Sequence, residues 1–312
     1  MASIDYVHIR NLFLQGVYNS TYEVVTDGGP KCAQESTVGF KYASSILLLP
    51  LHLILLWVGV RYVSRNHDIK KNYLIKSGRG FKPSFLEKAQ GILCFALLAI
   101  QLYFKYHNKT MIFIVMPCHF TTFLLGLVSL LPFNRFSDLL MPLAISSCFG
   151  AWIGIAFAEN GELSFLEHVV YYIQHVFAAF LAPFILFLGG RYSASDQLRW
   201  PLPYFGYIGF ALYMRWFLTP LSALTWANLN HTLCSVDNDP WKAYFNMGKY
   251  FYFWADFYLA LTSIVSQYFI CIFGMVLCKN FSAYSESIKG RQVVVGLSLV
   301  GGLMAYAYYA IF

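Results

Sequence analysis

Charge is what this sequence has least of. Asp, Glu, Lys and Arg make up 12% of its 312 residues, while 58% are apolar and 19% aromatic; a water-soluble domain is about a quarter charged. A chain so composed has too little polar surface to fold as an ordinary soluble enzyme. Chemical signatures are missing as well. There is no P-loop, GxGxxG, HExxH, GxSxG or His-x4-Asp pattern, and no Cys-x-x-Cys pair or Cys/His spacing of a structural zinc site. No metal is therefore expected, and most of the cysteines at 32, 94, 118, 148, 234, 271 and 278 read as helix-packing residues. The net charge of +7 is not gathered into a basic stripe with interleaved stacking aromatics, so nucleic acid is not an expected partner. The first 39 residues lack a charged start, an apolar core and a small-residue cleavage site, so no removable signal peptide is expected.

Long apolar runs recur along the whole chain. They predict an all-α, polytopic membrane helical bundle of about eight transmembrane helices, forming one integral membrane domain over residues 1–312 after an N-terminal segment, 1–40. The expected spans are 42–60, 89–106, 110–131, 139–157, 166–188, 204–227, 257–277 and 293–312. The last, within 292–312, is weakened by Gly296, Gly301 and Gly302; if it lies along the interface, seven crossings remain. Helices are expected rather than barrel strands because the runs do not alternate in polarity.

Orientation follows from the basic residues. Arg61, Arg65, Lys70, Lys71, Lys76, Arg79, Lys82 and Lys88 crowd between the first two spans, which marks a cytoplasmic face and a lumenal N-terminus. Alternation then puts fourteen basic residues on the cytoplasmic side against seven on the other, and the acids Glu159, Glu162 and Glu167 in a lumenal loop. This fits a multi-pass protein of the secretory pathway, endoplasmic reticulum or Golgi. The sequons at Asn19, Asn108 and Asn230 fall on the lumenal side, where glycosylation is permitted. Cys32 and Cys234 are the two cysteines in lumenal loops, where an oxidising compartment would let them pair; the alternative is two unrelated thiols.

Ionisable groups deep in a span usually face a cavity or a partner. Here they are His119, His175 and Arg215, with Cys118 a potential nucleophile beside the first. At 1.5 Å per residue, Cys118 and His175 both lie about 12 to 14 Å below the lumenal surface. An imidazole in reach gives a thiol the thiolate character it needs to attack an ester, so the two form a candidate dyad. His119, about 100° around the helix from Cys118, is the less suited base and is expected at another wall of the cavity. Pro117 is expected to bend the third span where Cys118 is presented. His168, Tyr171, Tyr172 and His175 form a polar stripe on span five that could line a path from the interface; an aromatic belt with a packed histidine is the plainer reading. Arg215 offers a planar donor fork to a lipid phosphate or ester oxygen, with snorkelling or a structural ion pair as alternatives. Gly150 and Gly154, spaced as GxxxG, read as close helix packing. Taken alone, a buried thiol such as Cys118 is more often a packing residue than a nucleophile.

In order along the chain, Gly-Gly-Pro-Lys-Cys (28–32), Met-Pro-Cys-His (116–119), Tyr-Tyr-Ile-Gln-His-Val (171–176), Gly-Gly-Arg-Tyr (189–192) and Asn-Leu-Asn-His-Thr-Leu-Cys (228–234) resemble the transmembrane protein 164 family. The likeness covers roughly residues 28–280. It implies an integral membrane acyltransferase that moves a polyunsaturated acyl chain from a phospholipid donor to a lyso ether-phospholipid through a thioester on Cys118, with His119 and His175 as motif histidines. Met116, where the family usually has Asn, His231, Thr232 and the apolar tail after Lys289 depart from its pattern. If that Asn binds the oxyanion, residue 116 cannot do so here. The expected reaction is ping-pong: His175 deprotonates Cys118, the thiolate takes the acyl group, and an acceptor hydroxyl then removes it. Membrane phospholipids are the expected partners and no cofactor is needed. An intramembrane lipid hydrolase, with water as acceptor, and a transporter or channel are the alternatives.

Overall fold

A computed structural model of the chain describes residues 28–34, 38–78, 80–156, 164–234 and 251–284. The expected last span, the Asn19 sequon, Glu159, Glu162, Arg79, Lys289 and Arg291 lie outside them. All regular structure among the described residues is helical. Five helices are long and apolar enough to cross a membrane: Ser45–Lys76, Phe85–His107, Arg135–Ile155, Phe165–Leu188 and Tyr258–Cys278. The chain is a multi-pass membrane protein.

In chain order, α1 (Gly29–Gln34) is followed by α2 (Val38–Lys76), α3 (Phe85–His107), α4 (Pro117–Leu130), α5 (Arg135–Ala156) and α6 (Phe165–Val176). Then come α7 (Ala182–Leu188), α8 (Ala194–Gln197), α9 (Leu202–Tyr213), α10 (Thr219–Thr225) and α11 (Phe251–Tyr284). The central helix is α5, which packs on α2, α4, α6, α9 and α11. It is buried over much of its length, with Met141, Ala144, Ile145, Cys148 and Ala151 fully enclosed. Gly206 lets α9 approach it closely, since a Cβ there would meet the Pro142 carbonyl oxygen at 2.5 Å.

Three elements differ from the sequence expectation. The first helix does not stop at Val60 but runs as α2 through most of the basic segment to Lys76, 39 residues in all. That segment keeps a helical apolar face: Val63 and Leu74 are buried, and buried Asp138 of α5 pairs with His67 Nδ1 at 3.3 Å and Lys70 Nζ at 2.8 Å. The third expected span is broken into a 3-10 turn, Met111–Val115, and α4. Fourteen residues reach only about 21 Å, short of a hydrocarbon core of about 30 Å. Pro117 does not bend a continuous helix but begins a new one, at the position where its missing N–H costs nothing. The fifth and sixth expected spans each contain a π-turn, Phe177–Leu181 and Met214–Leu218. Carbonyls in these turns find side-chain donors: Trp152 Nε1 donates to Ala179 O at 3.0 Å, and Thr219 Oγ1 to Met214 O at 3.0 Å.

One tetrapeptide, Ser-Phe-Leu-Glu, opens both α3 and α6, at 84–87 and 164–167. In each case the serine hydroxyl accepts the glutamate N–H and the carboxylate accepts the serine N–H, a capping box. Each carboxylate also fastens the far end of the other span. Asn108, just past α3, donates to Glu167 at 2.6 Å, and Arg191, just past α7, donates from Nε to Glu87 at 2.9 Å. Gly189 leaves the space that the Glu87 carboxyl fills. Arg191 also donates to the carbonyls of Leu131, Val128 and Ser129, closing the end of α4. The two spans are thereby clasped at both ends.

Candidate active site

Cys118 and His119 are the second and third residues of α4. Met116, the residue that caps α4, supplies no side chain to the first-turn N–H groups; those of His119 and Phe120 donate to its carbonyl, and that of Cys118 lies near its own sulfur. A helix N-terminus favours negative charge, which offsets part of the cost of forming a thiolate in a buried place. The imidazole against this thiol is that of His119, with Nδ1 at 3.7 Å from Sγ. Angles around an unbroken mid-span helix point to His175 there, but residues 118 and 119 sit in a first turn that follows an extended residue, Met116. The His119 ring also donates to the Phe113 carbonyl, which fixes its orientation.

His175 is buried on α6 and lies within electrostatic reach of His119. Its Nδ1 is 2.7 Å from the Tyr171 carbonyl. A carbonyl only accepts, so Nδ1 carries the proton and Nε2 is the basic nitrogen. The ring stacks on that of Tyr171, with centroids 3.9 Å apart, and the Tyr171 hydroxyl donates to Gly154 O at 2.7 Å. Gly154 makes room for this: a Cβ there would lie 2.6 Å from His175 Nε2. The GxxxG pair is thus not a seam of close backbones; Gly154 seats an imidazole, while the nearest atom to a Gly150 Cβ is Pro117 Cβ at 3.8 Å.

Next to His175 in sequence is Gln174, which polarity alone did not single out although it lies inside the 171–176 motif. Its Nε2 donates to Thr122 Oγ1 at 2.9 Å and to the Cys118 carbonyl at 3.4 Å, tying α6 to the first turn of α4. Lys105 was also missed. It lies on α3 within electrostatic reach of Cys118 and Glu167, and its position in the last turn of a span was the signal that could have found it. His52, another unforeseen imidazole, is buried edge-on to Tyr207.

A cavity of about 400 Å³ opens beside His119, between α3, α4 and the π-turn that follows α9, and Cys118 itself does not line it. Leu98, Ala99 and Leu102 form one wall, Ile114, Phe120 and Phe123 another, and Tyr213 and Phe217 the third. His119 is the ionisable nitrogen in this lining. The Tyr213 hydroxyl is committed to the Val115 carbonyl, and its ring stacks on Phe120 at 4.1 Å. Arg215 does not line the cavity; it is buried, and engaged within the protein, on another side of the turn. His168 and Tyr172 are half-buried and also stand outside the lining.

At the margin of the bundle, Cys32 and Cys234 form a disulfide with Cα atoms 5.2 Å apart. Asn228 shapes the loop that presents Cys234, accepting from the N–H groups of Leu233 and Cys234 at 3.0 and 3.3 Å. Gly29, at φ 90°, supplies the turn before Cys32 and donates to Trp226 O at 2.9 Å. No group of three metal-ligating side chains occurs among the described residues. The chain matches no protein-family model and no solved structure.

Proposed function

We propose that the protein is a cysteine-dependent phospholipid acyltransferase, resembling the transmembrane protein 164 family, with Cys118 the nucleophile and His119 its base. One observation carries this reading: a thiol at a helix N-terminus with, 3.7 Å from its sulfur, the nitrogen of an imidazole that lines an apolar cavity of about 400 Å³. The apolar walls suit an acyl chain, and exclusion of water protects a thioester from hydrolysis. In the first half-reaction His119 takes the thiol proton and the sulfur attacks the donor's ester carbonyl. The carbon–oxygen bond then breaks, and the lysophospholipid leaves with the proton returned by His119. In the second, the hydroxyl of a lyso ether-phospholipid gives its proton to His119 and attacks the thioester, and the thiol is released reprotonated. The N–H of Cys118 is the first-turn donor left for the oxyanion, since those of His119 and Phe120 donate to the Met116 carbonyl. Gln174 ties α6 to the reacting turn, and His175 seats α6 on α5 at Gly154. We place the site in a bundle of eight crossings in the endoplasmic reticulum or Golgi, with the basic segment of α2 facing the cytoplasm and the N-terminus lumenal.

Purified protein given a donor phospholipid with an isotopically labelled acyl chain and a lyso ether-phospholipid acceptor tests this directly. Transfer is expected from wild type and absent from Cys118→Ala, with at least about a hundredfold loss in His119→Ala. Full transfer by Cys118→Ala would remove the nucleophile. Release of free fatty acid without acceptor acylation would make the protein a hydrolase, and solute flux without lipid turnover a transporter.

A further inference from the structure

We propose that Lys105 binds the headgroup phosphate of the lipid whose acyl chain occupies the cavity. Three observations meet there. Leu98, Leu102 and Lys105 are spaced four and three residues apart on α3, so they share one face, and the two leucines form a wall of the cavity. Lys105 therefore heads the same stripe, two residues before the end of the helix at His107, where a membrane-spanning helix meets the phosphate layer.

Second, Lys105 is half-buried and forms no ion pair among the described residues. Its ammonium stands 5.7 Å from the centre of the Phe113 ring. Glu167, the carboxylate in electrostatic reach, is already occupied by Asn108, the Ser164 N–H and the Ser164 hydroxyl. A cation left without a carboxylate beside an apolar groove is a seat for an anion.

Third, Lys105 is within electrostatic reach of Cys118. A glycerophospholipid separates its ester from its phosphate by glycerol carbons and one bridging oxygen. A phosphate on Lys105 with the chain running along Leu102 and Leu98 therefore brings the ester toward the thiol. Lysine suits this task as a mobile point charge on a long stem. Arg215, also within an expected span, is buried and already engaged within the protein.

The identity of the lipid rests on the acyl-transfer reading, so the test uses binding and needs no turnover. In the Cys118→Ala protein, a fluorescent lysophospholipid is compared with the monoacylglycerol of the same chain. The lysophospholipid is expected to bind about tenfold more tightly, one charge-assisted contact being worth about that factor. Lys105→Gln should abolish the difference while leaving monoacylglycerol binding in place, and Lys105→Arg should restore most of it. A preference that survives Lys105→Gln, or an equal loss for both probes in Lys105→Gln and Lys105→Arg, overturns the proposal. Headgroup preference in a protein that transfers no acyl chain would leave Lys105 standing and remove the role of Cys118. Transfer without headgroup preference would do the reverse.

Discussion

Alanine at Gly154 reports whether the His175 seat matters. The new Cβ would lie 2.5 Å from His175 Cδ2, 2.6 Å from Nε2 and 3.1 Å from the Tyr171 hydroxyl. To restore ordinary contact at 3.4 Å the ring must retreat by roughly 0.9 Å, and it is held by the Tyr171 ring and carbonyl. Overpacking of this kind costs about 1–3 kcal/mol, offset by about 1 kcal/mol from replacing glycine within a helix. The net effect is a loss of up to about 2 kcal/mol in stability. If His175 supports the reacting turn, a shift of that size lowers transfer about a hundredfold. Gly150→Ala is the matched control. Its Cβ would make only an ordinary 3.8 Å contact with Pro117, so it keeps the helix gain without the clash. Both variants would be measured by thermal unfolding in detergent and by the labelled-acyl assay. Gly154→Ala behaving like Gly150→Ala in both would refute the view that glycine is there to seat the imidazole.

Other outcomes follow from the same contacts. Glu87→Ala strands the Arg191 guanidinium in a buried site, and a loss of about 3–5 kcal/mol is expected; unchanged thermal unfolding would count against the clasp. Cys32→Ser should remove a mobility difference between reducing and non-reducing gels and cost about 2–5 kcal/mol. Asn108 should carry no glycan, because the amide nitrogen that would bear it donates to Glu167 at 2.6 Å; Asn108→Gln should then run as wild type before and after endoglycosidase. Ala99→Phe, which fills the cavity wall, should reduce transfer of long chains at least about tenfold more than that of short ones, measured by mass spectrometry with mixed donors.

The membrane class was legible in the sequence because apolar length alone carries it, and the helices at 85–107, 135–156 and 165–188 lie within a few residues of their expected places. The broken third span was not, since hydropathy runs smoothly through Met111 to Leu130 and only Pro117 marks the break. Depth counted along one unbroken helix therefore matched Cys118 with His175, while the first turn of α4 sets its sulfur against His119. Charged residues at span ends misled in another way. Glu87, Arg191 and Asp138 read as loop residues, but they are buried with partners far away in sequence, and periodicity holds no record of such pairings. The repeated Ser-Phe-Leu-Glu drew no reading from the sequence, because its reciprocal use joins residues far apart along the chain.

The bond between Cys32 and Cys234 spans 202 positions, and that interval sets a timetable for biosynthesis. The first thiol emerges 202 residues ahead of its mate and must wait, reduced, until that mate has followed. Closure is thus a late event that certifies a correctly threaded chain, and a nascent protein stalled short of residue 234 would display an orphan sulfhydryl to quality-control machinery.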